Sequence, residues 1–170
     1  MKKLLVIVDM QNDFVDGALA ANGGKEAVKR ARALIGKEAA QGTQIVFTKD
    51  LHGNNYLETQ EGKRLPVPHC IAGTQGAELY EGLYLQGAKV FEKDTFASLE
   101  LAYFVRDEHF DEVLFAGICT DICVVSNALL VKAHCPETHL AVCASACAGT
   151  TQENHLAALQ TMKSCQIDIL

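Results

Sequence analysis

Short apolar runs alternate with longer amphipathic ones along this chain. Residues 4–8, Leu-Leu-Val-Ile-Val, carry no polar interruption, as expected of a strand buried on both faces. Residues 44–48, 88–91, 112–116 and 138–142 repeat the signal, and 166–169 gives a shorter sixth candidate. Between them lie helical patterns. Residues 25–41 set Val28, Ala31, Ile35 and Ala39 on one stripe, opposite Lys29, Arg32 and Lys37. Ser98 is a candidate cap for a helix carrying Leu99, Ala102, Phe104 and Val105, and Thr120 for one over 121–134. Thr150 with Glu153 reads as a capping box that opens a helix to about Lys163. Strands alternating with helices imply right-handed crossovers. The pattern predicts a three-layer α/β/α fold around a six-stranded, mainly parallel, Rossmann-like sheet. One domain spanning residues 1–170 accommodates all of it.

One stretch breaks the rhythm. Residues 50–77 hold glycines, prolines, His52, His69 and several carboxylates, but no clean period. A connection of this length inside a compact domain tends to be functional.

Composition narrows the classes. Hydrophobic residues at 49% provide a core, and a net charge of −6 without a basic run disfavours nucleic acid and anionic membranes. Asp9 ends the first apolar run after five residues, too soon for a signal peptide or a membrane span. The seven cysteines are an odd number without Cys-x-x-Cys spacing, so free thiols in a reducing cytoplasm are expected. Homo-oligomer formation is left open.

Ligands of open α/β sheets bind beyond the carboxyl ends of the strands. Asp9 follows the first strand, and the turn after it lacks the glycines of a nucleotide-cofactor site. Lys93 follows the third. Cys123 falls near the start of the helix after the fourth, where free N–H groups and the helix dipole lower a thiol pKa and offer oxyanion donors. A base, a cation and a nucleophile form a coherent set. Asp50 and His52 share one face of a strand end. Together with His69 they supply oxygen and nitrogen donors suited to one divalent transition ion, zinc, manganese or iron.

The strand ending in Asp9-Met10-Gln11-Asn12-Asp13-Phe14, the Lys93-x-x-Phe96 segment and Gly117-Ile118-Cys119-Thr120-Asp121-Ile122-Cys123-Val124 resemble the isochorismatase-like cysteine hydrolases over essentially the whole chain. In appearance the nearest branch is the nicotinamidases. The resemblance implies a catalytic triad of Asp9, Lys93 and Cys123. It also implies a cis peptide between Ile118 and Cys119, with an oxyanion held by the N–H groups of Cys119 and Cys123. It further implies a metal on Asp50, His52 and His69, to which Glu61, or alternatively Glu58, is added. Phe14 and Phe96 are the candidate substrate contacts. Familiar members stack the substrate ring on a Trp before the Pro-His. This chain has none, and Leu65-Pro66-Val67 occupies that region. The expected reaction is metal-assisted hydrolysis of a small amide through a thioester, nicotinamide foremost, with ureido or carbamoyl amides next. Competing readings are an isochorismatase proper, a non-catalytic binding protein and a Cys119/Cys123 redox sensor.

Overall fold

The computed structural model describes residues 1–170. Its six strands are β1 (Lys3–Val8), β2 (Gln44–Asp50), β3 (Lys89–Lys93), β4 (Glu112–Ile118), β5 (His139–Ala148) and β6 (Asp168–Ile169). They form one sheet in the order β3-β2-β1-β4-β5-β6, every neighbouring pair parallel. Two helices on one side are α1 (Asn12–Val15) and α2 (Gly24–Ala40). The other side carries α4 (Leu99–Glu108), α5 (Val125–His134) and α6 (Gln152–Ser164), and a short α3 (Gln60–Arg64) lies in the long β2–β3 connection. No helix is long and apolar enough to cross a membrane.

Uniformly apolar strands are explained by the two cores. Leu5 and Ile7 of β1 join Val28, Ala31 and Ile35 of α2 in one cluster, whereas Leu4, Val6 and Val8 join Leu101, Val105, Ala128 and Met162 in the other. Alternate side chains of a strand point to opposite faces, so both faces demand apolar residues.

The structure moves several expected boundaries. β2 and β3 run two residues further than predicted, so Asp50 and Lys93 end their strands and face each other in register. β5 also continues to Ala148, with a jump that sets Phe115 against Val142 but Gly117 against Cys147. Its small residues, Cys143 to Ala148, carry little strand propensity, which hid the extension from the sequence. Thr120 does not cap a helix. Its hydroxyl bonds His155 Nδ1 at 2.8 Å, and residues Thr120–Val124 form a wide π turn before α5 begins. Thr151, not Thr150, caps α6 by accepting from the Asn154 N–H, while Thr150 binds Asp121 through its N–H and its hydroxyl. The final strand is only two residues long, since Gln166 turns into the left-handed region at φ 65°.

Gly117 lies where the sheet order reverses, paired with Val8 at the ends of β4 and β1. Its φ is +152°, and a Cβ there would collide with the Val8 carbonyl oxygen. Gly117→Ala is expected to destabilise the protein by about 2–4 kcal/mol, from backbone strain and overpacking. Urea denaturation measures this directly, and an unchanged midpoint contradicts the close-approach argument.

Candidate active site

Strands β1 and β4 lie side by side with their onward connections leaving in opposite directions, so a crevice opens past their carboxyl ends. All three residues of the expected triad converge there. Asp9 leaves β1 at φ 47°, a left-handed conformation that Asp tolerates better than bulky residues do. Its N–H donates to the carbonyl and hydroxyl oxygens of Thr48, each at 3.2 Å, and the Thr48 hydroxyl donates to Asp9 Oδ1 at 2.5 Å. The other oxygen, Oδ2, lacks a well-aligned hydrogen bond although the Lys93 ammonium lies 2.6 Å away as an ion pair. Lys93 Nζ is also 3.5 Å from Asp50 Oδ1 and 4.0 Å from Cys123 Sγ.

These groups are buried, and burial sets their protonation. It raises the Asp9 pKa, a shift that the Lys93 charge only partly offsets. Burial also disfavours a charged Lys93, yet Asp9, Cys123 and Asp50 outweigh it and keep the ammonium protonated. For Cys123, burial and the Asp9 charge push the thiol well above its ordinary range. The depressed thiol pKa expected from a helix start is therefore reversed. Cys123 is the fourth residue of the π turn rather than a residue in the first turn of an α-helix capped by Thr120, and a carboxylate faces it. Cys123 thus holds its proton until a base removes it.

The turn itself is organised by the Cys119 carbonyl, which accepts from the N–H groups of Ile122 and Val124, each at 3.1 Å. The Ile118–Cys119 peptide is cis, as the resemblance implied. The Cys119 N–H donates to no carbonyl of the chain. Burial and Asp121 push the Cys119 thiol up to about 12, which makes it a poor redox partner for Cys123.

Beside the triad, Asp50, His52, Glu61 and His69 bring one ligand atom each to within 4.8 Å of one another. Asp50 Oδ2 lies 2.9 Å from His52 Nε2 and 3.5 Å from His69 Nε2, while Glu61 Oε1 is 3.8 Å and 3.6 Å from the same nitrogens. The Val67 carbonyl accepts from His69 Nδ1 at 2.8 Å, which leaves Nε2 free to face the cluster. Burial works against ionised Asp50, but hydrogen bonds from His52 and His69 and the Lys93 charge hold its carboxyl well below the usual range. Burial, with the Asp50 charge adding to it, raises the Glu61 pKa against the opposing pull of His52, His69 and Lys93. Two carboxylates and two imidazoles at this spacing fit a divalent transition ion. Glu58 is exposed and outside the cluster, so the structure selects Glu61 between the two glutamates.

Local folding explains that selection. The Thr59 hydroxyl accepts from the Gly62 N–H at 3.0 Å and starts α3, and a Cβ at Gly62 would collide with the Tyr56 carbonyl. Glu61 is thereby turned inward. The sequence had offered no helical period here, because the helix spans only five residues.

Two positioning groups went unrecognised in the sequence. Gln11, fully buried, donates from Nε2 to the carbonyls of Asp50 and Ala77 at 2.7 and 2.8 Å, and its Oε1 accepts from the Asp50 N–H at 2.7 Å. Asp13 Oδ2 accepts from the N–H of Cys70, the neighbour of His69, at 2.8 Å. Two polar side chains directly after a buried strand were the available signal.

Phe14 is buried against the His69 ring, with centroids 5.4 Å apart. Phe96 is 45% exposed. It lines a cavity of about 690 Å³ with Gln60, Glu61, Arg64, Leu65, Thr95 and Ile122. The opening therefore lies over the acidic end of the ligand cluster and next to the turn bearing Cys123. Where relatives were expected to offer Trp, an apolar Leu65 wall stands opposite this chemistry.

Glu61→Gln is expected to weaken divalent-metal binding at least about 10-fold, as losses at or next to a metal site do, whereas Glu58→Gln leaves it unchanged. Metal titration followed by elemental analysis distinguishes the two. Equal effects at both positions contradict the geometry above.

Comparison with known proteins shows the family. Residues 3–170 match the isochorismatase domain. A nicotinamidase/pyrazinamidase of Mycobacterium tuberculosis is 30% identical over 99% of this chain and 98% of its own. The zinc complex of Pyrococcus horikoshii pyrazinamidase superposes with a TM-score of 0.87 at 28% identity, over 100% of this chain and 99% of the other. A pyrazinamidase/nicotinamidase from Streptococcus mutans gives 0.88 at 28% identity, over 99% and 100%. With the family domain matched almost from end to end, the chain belongs to the isochorismatase family.

Proposed function

We propose that this protein is a metal-assisted cysteine amidohydrolase that converts a small amide, nicotinamide foremost, to its acid and ammonia. The observation that carries the reading is the Lys93 ammonium, 2.6 Å from Asp9 and 4.0 Å from Cys123, buried beside a four-ligand cluster. The activities of the nicotinamidase and pyrazinamidase relatives support it.

Asp50, His52, Glu61 and His69 would hold one divalent transition ion, with zinc first and manganese or iron as alternatives. Its contribution when bound is Lewis acidity toward a heteroatom of the substrate. The chain's own residues carry the proton transfers. Asp9 takes the Cys123 thiol proton on Oδ2, the oxygen without a well-aligned hydrogen bond. Sγ then adds to the amide carbonyl, and the N–H groups of Cys119 and Cys123 receive the oxyanion. Losing one such donor typically costs about 10²–10³ in rate. As the C–N bond breaks, protonated Asp9 gives its proton to the departing nitrogen and ammonia leaves a thioester. Asp9 next takes a proton from water, whose oxygen attacks the thioester carbonyl. Collapse returns the proton to Sγ and releases the acid. Lys93 keeps Asp9 and the developing thiolate together despite their like charge.

Phe96, Leu65 and Ile122 offer apolar walls to the organic part of the substrate, and Phe14 packs behind His69. A cytoplasmic location fits seven cysteines that are all free.

A thiol held protonated by burial and Asp9 makes a pH prediction. Its folded-state pKa lies above the ordinary value, so alkylation of Cys123 in the free enzyme should lag that of exposed Cys165 near neutrality and catch up only in alkali. Iodoacetamide labelling with peptide mapping reads this out. Preferential labelling of Cys123 in mildly acidic buffer points instead to a resting thiolate.

The activity itself is tested by ammonia release from a panel of small amides, nicotinamide, ureido and carbamoyl compounds included, with metal-replete protein. Asp9→Asn and Cys123→Ala should each lower kcat by about 10⁴-fold or more, and the double variant little further, because groups acting as a unit are not additive. An Asp9→Asn protein that keeps a tenth of the wild-type rate rules out the single-carboxylate mechanism.

A further inference from the structure

Helix α5 is apolar through its buried face except at Asn127, whose side chain is fully buried. A buried amide without partners is costly, yet this one is well supplied. Nδ2 donates to the Cys123 carbonyl at 2.8 Å and to the Phe96 carbonyl at 3.1 Å, and Oδ1 accepts from the Ser98 N–H at 3.0 Å. Ser98 in turn caps α4 by accepting from the Leu101 N–H at 3.1 Å. One side chain therefore ties the nucleophile's own backbone to both sides of the segment that follows β3. That segment begins directly after Lys93 and carries Phe96 into the cavity wall.

We propose that Asn127 is a positioning residue, holding the Cys123 turn and the Phe96 wall in one frame so that a substrate resting on Phe96 presents its carbonyl to Sγ. The proposal rests on the amidohydrolase reading. Asn127 touches neither of the two groups between which a proton moves; it acts through the main chain at Cys123, Phe96 and Ser98. No backbone amide of the β3–α4 segment bonds directly to the π turn. The amide of Asn127 thus makes a link that the main chain leaves unmade, and its two donors are both needed for it.

Two substitutions separate the halves of this link. Asn127→Asp keeps the acceptor for Ser98 but sets a carboxylate against two carbonyls. Asn127→Ser retains a hydroxyl able to bond the carbonyl four residues back on its own helix, and is too short to reach Phe96. For folded Asn127→Asp, kcat should fall about 10–100-fold, the cost of misplacing a reacting group by about an ångström. Its Cys123 alkylation rate, measured without substrate, should also change. For Asn127→Ser, KM should rise several-fold while kcat stays near the wild-type value, a loss of binding without loss of chemistry. Circular dichroism and metal content confirm that each variant is folded and loaded. A merely structural residue lowers the melting temperature and moves none of these three readouts, and that result overturns the proposal. An Asn127→Ser protein with unchanged KM overturns the link to Phe96, and it carries the test alone should Asn127→Asp fail to fold. Wild-type protein that releases ammonia from no amide refutes the enzymatic reading instead. Alkylation of Cys123 in the two variants then still decides whether Asn127 sets the turn.

Discussion

A single buried ammonium holds this site together. Lys93 sits among Asp9, Asp50 and Cys123, in a pocket where each carboxylate alone would be expensive to ionise. With the ammonium in place, the two acids settle differently. Asp50, which also accepts from two imidazoles, is firmly ionised, while burial leaves Asp9 with a raised pKa and a use for a proton. Truncating a buried charge partner typically costs about 3–5 kcal/mol because the other charges are left uncompensated. The same cation therefore links the Asp9–Cys123 pair to the Asp50, His52, Glu61 and His69 cluster. Neither half is electrostatically complete alone.

Strand register is what makes this economy of charge available. Asp50 and Lys93 are opposed residues on neighbouring parallel strands, and Val8 faces both Thr48 and Gly117 one position before Asp9. Thr48 and Gln11 then fix the two carboxylate-bearing backbones from the side. Side chains on strand ends inherit the stiffness of the sheet, which favours a geometry that must not drift by an ångström.

Much of this is legible in the sequence. Uninterrupted apolar runs announced a doubly covered parallel sheet, and reactive residues at strand ends announced where chemistry collects. The Asp-x-His pair and His69 were expected to lie together, and they do, with Glu61 beside them. What escaped was local and physical in origin. Thr120 resembled a cap, but His155, 35 residues away, claims its hydroxyl, and no local rule anticipates that. The π turn beneath Cys123 has no period to read. Environment also inverted the expected thiol acidity: helix position argued for a thiolate, and burial opposite a carboxylate argued more strongly against it. Asn127, Gln11 and Thr48 carry no local signal, because most of their partners lie about 30 to 66 residues away in sequence.

The tether at Phe96 grips that residue by its carbonyl and leaves its ring untouched. Leu65 and Ile122 likewise face the cavity with side chains that make no hydrogen bond to Asp9, Lys93 or Cys123. The lining side chains are thus held through their backbones, and their own atoms take no part in the Asp9–Lys93–Cys123 contacts. Exchanging those three side chains reshapes the cavity wall and leaves in place the hydrogen bonds and the ion pair that hold Asp9 and Lys93 at their strand ends.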